Sequence, residues 1–596
     1  MRTICLLLAL LPWHLLAAAP ETADDWRTAA EIDEYRSTPR LDATMAWLER
    51  LAAATDQIRV GTFGTSPEGR SLPVVVASSD GSFTPQLARE RGKTVLWVQA
   101  GIHAGEIEGK DAGLALLRDL TVGGRHPGLL DRTVLVFIPV FNVDGHERMG
   151  PFNRINQNGP QQMGWRATAQ DLNLNRDHMK ADAPEMRAWL DLFQQWQPHL
   201  VVDVHTTNGA DYEYDLTWYL EEWGNQSEAV RAWQRDALIG RVFPATDRHG
   251  HLLGPYINLV DHRDIRKGLV NFGSGPRFST GYVALHQRAG LLVETHMLKP
   301  YKQRVQATHA LLLELLRELD ARGGALREAV AAGEAAVLER AQDDAPEVAV
   351  AFRPTDEAET FALRGVAFSQ QRSEVSGDTW TRYDPSTPRR YEVPFRRAML
   401  PAARAALPAA YVLEASATEA IARVDAHGLR HFRLPRATTV AARGWRVSNP
   451  QWATAPFEGR IGLVAFDAED LAREIELPAG SVVVPLAQPA ADVAVQLFEP
   501  QAPDALLRWG FFNAVFERKE YGDPRKLEQL ARDLLEARPG LRAEFEQRLA
   551  DPAFAASPAA RLDFFHRRSP YADPGLGVLP VWRVDRAALR GLEAGL

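Results

Sequence analysis

The chain has 596 residues, too many for one hydrophobic core, and its 45% hydrophobic and 24% charged residues are a globular rather than a disordered balance. A net charge of −9 with no long basic run argues against nucleic acid as a partner. The single cysteine, Cys5, lies at the amino terminus, so disulfides, zinc–thiolate clusters and thiol nucleophiles are excluded from the rest of the chain.

The first predicted element is an export leader. Arg2 supplies a positive start, residues 4–16 are apolar, and Ala17, Ala18 and Ala19 are small enough for cleavage. The apolar stretch is shorter than the roughly 20 residues of a membrane span. Residues 1–19 therefore read as a signal peptide, and the protein as exported, periplasmic or extracellular, with no membrane span after signal removal. A retained anchor is the alternative. Cys5 sits inside the apolar stretch and not at its small-residue end, which argues against a lipid anchor.

Residues 20–342 read as one catalytic α/β unit. A helix is predicted over 41–53, then strand-like segments at 57–63 and 71–78 around a turn marked by Gly64 and Gly69. Thr94–Ala100 (TVLWVQA) is a buried strand, followed by a helix near 109–120 and a second buried run at 133–140. Shorter apolar runs follow at 200–204 and 290–293. Near-continuous apolar strands separated by helices predict a mixed, largely parallel sheet flanked by helices, with ligands beyond the carboxyl ends of the strands. A pair of helices split by Gly323-Gly324 closes this unit, and 343–346 reads as a linker.

Residues 343–596 form a C-terminal accessory region of mixed α/β character. Short alternating segments occur at 348–352, 460–465 and 481–485. A strand–helix–strand signature spans 411–414, 418–427 and 431–434, and a helix is predicted over 526–537. No catalytic constellation is legible in this half.

The chemistry concentrates in the first half. His103-Ala104-Gly105-Glu106 follows directly on Thr94–Ala100, and a His and a Glu three apart on a turn can face one cation. In a chain with 16 histidines about one such pair arises by chance, so it means little alone. Its companions give it weight: His205 ends the run at 200–204, and Glu294 ends the run at 290–293. Three strands thus deliver metal-type or acid–base residues at their carboxyl ends. Two His and one Glu leave a tetrahedral zinc one open position for water, and Glu294, not a ligand, is placed to take that water's proton.

Together, Gly101-Ile102-His103-Ala104-Gly105-Glu106, Asp203-Val204-His205, Val293-Glu294 and the segment Asp171-Leu172-Asn173-Leu174-Asn175-Arg176-Asp177 resemble the M14 zinc metallocarboxypeptidases. The resemblance covers roughly residues 26–320, beginning with the segment 64–72. It implies that family's fold and zinc-dependent hydrolysis of peptide (amide) bonds, with one Zn2+ per chain held by His103, Glu106 and His205 and with Glu294 as base. It further implies that Asn175 and Arg176 hold the free carboxylate of a peptide substrate's last residue. Arg166, ten residues before Arg176, matches members in which an arginine at that spacing polarises the scissile carbonyl. Arginine's planar fork suits a carboxylate bidentately, and a cation beside the carbonyl stabilises the developing oxyanion. Phe141-Asn142-Val143-Asp144-Gly145 is similar to the family's Asn-Pro-Asp-Gly turn, with Val143 in place of proline.

Two departures stand out. Asn173 occupies the place of an aspartate that supports a zinc-ligating histidine; its amide oxygen still accepts that hydrogen bond. For the family's mobile, substrate-binding tyrosine the nearest candidate is Tyr282, twelve residues before Glu294, with a strand or loop aromatic as the alternative. Asp182-Ala183-Pro184-Glu185 reads as a capped helix start. His146, His178 and His296 read as supporting or internally satisfied histidines. Two rival functions share these residues: an aspartoacylase-like deacylase on the same scaffold, and a degenerate peptidase domain that binds cell-wall or other peptides. An intact Glu294 argues against the latter, since a pure binder needs no base. The sequence fixes no oligomeric state.

Overall fold

The computed structural model describes residues 26–343 and 346–595. The predicted leader, with Cys5, lies outside the described residues, as do Asp344 and Ala345 of the predicted linker. Strands β1 (Ile58–Thr65), β2 (Ser71–Ala77), β3 (Thr94–Ala100), β4 (Thr133–Ile138), β5 (Leu200–Thr206), β6 (Leu216–Leu220), β7 (Leu253–Pro255) and β9 (Ala289–Thr295) form one eight-stranded sheet; β8 (Leu269–Val270) pairs elsewhere. The order is β1-β2-β4-β3-β5-β9-β6-β7. The central strands β4, β3, β5 and β9 run parallel, and the antiparallel pairings flank them.

Every residue of β3 and of β5 is buried, which is why their sequences run apolar without alternation. The alternation is in the faces. Leu96 and Val98 pack with Leu114 and Leu117 of the helix Glu108–Leu120 and with Leu311 and Leu315 of the helix Tyr301–Arg340. Val95 and Trp97 turn the other way, onto Trp189 and Phe193 of the helix Pro184–Trp196. Each such side chain removed from water contributes about 1.5–3 kcal/mol before entropy is charged, so slipping either strand by one residue would be costly. The helix Tyr301–Arg340 carries one non-helical residue, Arg322 (φ −138°, ψ 18°), which makes it two helices across a kink where Gly323-Gly324 predicts a break.

The C-terminal region is not hung on a linker beside this unit. Its strands are β10 (Glu347–Pro354), β11 (Glu359–Arg372), β12 (Thr379–Arg396), β13 (Met399–Ala406), β14 (Ala410–Leu413), β15 (Phe432–Arg433), β16 (Thr438–Trp452), β17 (Leu463–Leu477), β18 (Val482–Pro485) and β19 (Val578–Val584). Six of them form a sheet in the order β15-β18-β14-β19-β16-β17. Val482, Val484 and Leu497 belong to the same hydrophobic cluster as Trp97 and Trp189, and β12 continues onto β8 in parallel register, Phe395 opposite Leu269. The hairpins β11–β12 and β16–β17 are longer than the sequence segments indicate; of the expected strand at 460–465, Arg460 belongs to the hairpin tip and β17 starts at Leu463. Among the described residues no helix is long and apolar enough to cross a membrane.

Candidate active site

The sheet brings the predicted ligands together. Gly101 takes φ +66°, turning the chain sharply out of β3 so that His103 and Glu106 fall between the strand and the helix Glu108–Leu120. His205 and Glu294 are register partners on the parallel strands β5 and β9. Such partners stand about 4.8 Å apart with side chains on the same face, so two of the expected groups lie side by side at the strands' carboxyl ends.

His103 Nδ1, His205 Nδ1 and Glu106 Oε2 lie 3.0–3.2 Å from one another. His103 Nε2 faces Asn173 Oδ1 at 3.1 Å, an oxygen that also accepts from the Asn175 backbone N–H, so the His103 proton belongs on Nε2. His205 Nε2 lies 3.0 Å from Asp203 Oδ2. Both Nδ1 atoms therefore turn lone pairs toward a carboxylate oxygen, and three acceptors so close require a cation between them. Burial holds the His103 imidazole down to about 4, Glu106 opposing. Burial also acts to lower His205, but Asp203 and Glu106 outweigh it and hold its pKa well above the ordinary value. A proton on His205 is thus one way to satisfy the trio, and a metal that displaces it is the other. Donors about 2.0–2.1 Å from a tetrahedral ion stand about 3.3 Å apart, close to the spacing here. The donor set fits zinc.

The other oxygen of Glu106 accepts from Arg166 Nη1 at 3.2 Å and from Arg154 Nη2. Burial pushes Glu106 up, but His103 and Arg154 outweigh it, and its carboxyl stays well below the usual range. Arg154 carries no sequence signal; its place depends on Gly105, where an added Cβ would fall 2.7 Å from the Arg154 Cγ and from the Gly164 carbonyl. Burial raises Glu294 to about 8; His205 and Arg166 lower it, and Glu106 and Asp203 raise it.

Beyond the metal centre, Arg176 Nη1 donates to the Asn175 carbonyl at 2.7 Å, and its guanidinium lies 4.4 Å from the Phe278 ring centroid. Burial lowers its pKa, with Arg166 adding to the effect. Among the described residues it has no carboxylate within salt-bridge distance, whereas Arg166 pairs with Glu106 and Arg277 with Asp504. Asn175 is buried, and its Oδ1 has no hydrogen-bond partner. A half-buried arginine without a carboxylate partner is an anion site in waiting.

Tyr282 is a correction. It lies on the helix Ser279–Leu285 with its ring packed against His178, Trp189 and Phe193, fully buried, and its hydroxyl 2.9 Å from His427 Nδ1. The helix turns it into the core, away from the metal ligands. A tyrosine that lies in the field of Glu294, Glu106 and Arg176 is Tyr256, just after β7. Burial raises its hydroxyl above the usual range, Glu294 and Glu106 add to this, and Arg176 opposes it. No spacing rule pointed to it. Asp203 was also missed, though its signal was present: Asp203 and His205 are two apart on one strand and so share a face.

The predicted Asp182 cap fails as well. The helix starts at Pro184 without a side-chain cap, and Asp182 instead pairs with Lys180 (3.2 Å), Arg423 (2.6 Å) and Arg460 (2.7 Å). His146 and His296 are satisfied internally by Glu147 and Asp211, whereas His178 donates from Nδ1 to the Arg277 carbonyl and its buried Nε2 has no partner among the described residues.

A helix-flanked, largely parallel sheet with a His–Glu–His trio at its carboxyl ends defines a metallohydrolase-type centre. Residues 44–227 match the model of the zinc carboxypeptidase family. Carboxypeptidase 2 of Trichophyton rubrum is 22% identical over 490 residues, covering 80% of this chain and 84% of its own. The carboxypeptidase 2 of Trichophyton equinum gives the same figures. Among solved structures, a metallo-carboxypeptidase from Burkholderia cenocepacia aligns over 47% of this chain and 68% of its own at 18% identity (TM-score 0.35). Carboxypeptidase A from Helicoverpa armigera aligns over 50% and 74% at 16% identity (TM-score 0.36). The family match and these relatives make the chain a peptidase enzyme.

Proposed function

We propose that the protein removes C-terminal residues from peptides, with one zinc held by His103, Glu106 and His205. The convergence of three lone-pair donors at 3.0–3.2 Å carries this reading. Zinc there would lower the pKa of a water to about 7 and polarise a carbonyl. Glu294, beside His205 on the next strand, takes the proton from the attacking water and returns it to the leaving amine; a carboxyl whose proton affinity is lifted toward neutrality by burial can do both. Arg166, its guanidinium partly exposed, faces the charge that grows on the carbonyl oxygen. Asn175 and Arg176 hold the substrate's terminal carboxylate, which supplies the anion that Arg176 lacks within the protein. Tyr256 closes over the bound residue in the place first assigned to Tyr282.

Digestion of a mixed peptide library, read by mass spectrometry, tests this. Expected is stepwise loss of single residues from free C-termini, stopped by chelator and restored by zinc. Internal cuts, or no cleavage with zinc restored, would overturn it. Export to the periplasm or extracellular space is part of the proposal and is carried by the leader at residues 1–19; sequencing the amino terminus of the exported form should find it to begin after that leader.

A further inference from the structure

The C-terminal region reaches the site. The tip of β16–β17, residues 453–462, closes in a tight bridge between Phe457 and Arg460, whose backbones exchange hydrogen bonds of 2.9 and 3.1 Å. Between them Glu458 holds φ +50°, a left-handed conformation that costs a non-glycine residue about 1 kcal/mol or more and tends to be kept where it has a use. The tip grips one short stretch of the catalytic domain at two points. Glu458 Oε2 accepts from the Asn173 backbone N–H at 2.9 Å, and Arg460 makes two hydrogen bonds of 2.7 Å to the carboxylate of Asp182. Phe511 stacks on the Arg460 guanidinium at 3.6 Å and holds it in place.

The stretch so gripped carries the residues that matter. Asn173 fixes the His103 tautomer through its side-chain oxygen, and the same oxygen anchors the Asn175 backbone. Asn175 and Arg176 follow at once. The Glu458 charge also stands within the field of Arg176 and opposes the effect of burial on it.

We infer that Glu458 is a positioning residue for the reaction: the C-terminal region supplies, through this hairpin tip, the group that fixes the Asn173–Arg176 stretch, and with it both the metal-facing orientation of His103 and the substrate-carboxylate subsite. The inference rests on the site reading proposed above. It also gives the accessory region a task, because the catalytic sheet by itself leaves the Asn173 N–H without this acceptor.

Three variants test it, each in the full chain and each checked for an unchanged melting temperature. Glu458→Ala removes the acceptor. Glu458→Gln keeps an acceptor of the same reach without the charge. Glu458→Asn tolerates the left-handed backbone but is one methylene too short. Zinc affinity is read by titrating metal-free protein against a chromophoric chelator. The carboxylate subsite is read as the ratio of kcat/KM for free and amidated peptides. In Glu458→Ala and Glu458→Asn zinc affinity should fall about tenfold, the lower range for groups that orient a ligand, and the free-over-amide preference should shrink. Glu458→Gln should restore zinc affinity. If Glu458→Ala does not fold, the contrast between Asn and Gln decides. Folded Ala or Asn variants with wild-type zinc affinity and wild-type preference would overturn the inference, as would a Gln variant no better than Ala. Should the wild type itself show no preference for free carboxylates while Ala still loses zinc and Gln recovers it, the positioning role stands and the carboxypeptidase reading falls.

Discussion

Replacing Arg176 by alanine removes a cation of the site that has no carboxylate partner among the described residues. Its guanidinium is held by the Asn175 carbonyl at 2.7 Å and by the face of Phe278, so it is presented in one orientation and loses little freedom when a carboxylate arrives. A charge-assisted, bidentate contact in such a half-buried position is among the stronger polar interactions, and truncating one partner costs about 2–5 kcal/mol. At about 1.4 kcal/mol per tenfold, kcat/KM for free-carboxylate peptides should fall roughly 30- to 4000-fold. Amidating the peptide removes the same interaction from the other side, so wild type on the amide should lose a similar amount. The two losses should not add, because they delete one contact and not two. The assay is a double cycle: two enzymes, two peptides, four values of kcat/KM. Equal cleavage of free and amidated peptides by the wild type, or strictly additive losses, would refute the reasoning and remove Arg176 from the carboxylate subsite.

Glu294→Gln should bind zinc normally and lose at least about 10²-fold in kcat, the lower range for a positioned acid–base group; surviving turnover would mean that another group takes the proton. Away from the site, burial raises the Glu221 carboxyl to about 8, with the Tyr219 hydroxyl, which donates to it at 3.1 Å, lowering it. A raised carboxyl means that the folded protein keeps a proton the unfolded chain releases at about 4.5. Its contribution is complete below that value and is lost as pH rises through about 8, a few kcal/mol at most at about 1.4 kcal/mol per pH unit. Measured against Glu221→Gln at saturating zinc, the wild type's melting temperature should therefore lose ground between about pH 5 and 8; a difference that stays constant over that window would show that Glu221 does not titrate there.

Much of the site was legible because its signals are local. His103 and Glu106 occupy one turn, and His205 and Glu294 terminate apolar runs whose ends in a parallel sheet share one edge. Asn173, Asn175 and Arg176 are consecutive or nearly so. The residues that escaped are those whose partners are far away in the chain. Arg154 reaches Glu106 across 48 positions, and Tyr256 comes within the field of Glu294 only because β7 is placed two strands from β9. Asp182 looked like a cap because cap chemistry is local, yet its ion pairs come from Arg423 and Arg460, more than two hundred positions on. Tyr282 was placed by sequence distance from Glu294, and a single helical turn points it into the core.

By itself the sequence determined the helix-flanked sheet and pointed to the trio His103, Glu106 and His205 that the fold brings together. Unbroken apolar runs have one low-energy solution, a sheet covered on both sides, and that solution puts strand ends together. Only the tertiary structure decided how the C-terminal region meets that sheet. Its hairpins are half-exposed and weakly patterned, so their length and the reach of their tips depend on contacts with residues hundreds of positions away. Glu458, one acidic residue in a loop, has no pattern to mark it. It acquires a role only when the fold carries it to 2.9 Å from the backbone of Asn173.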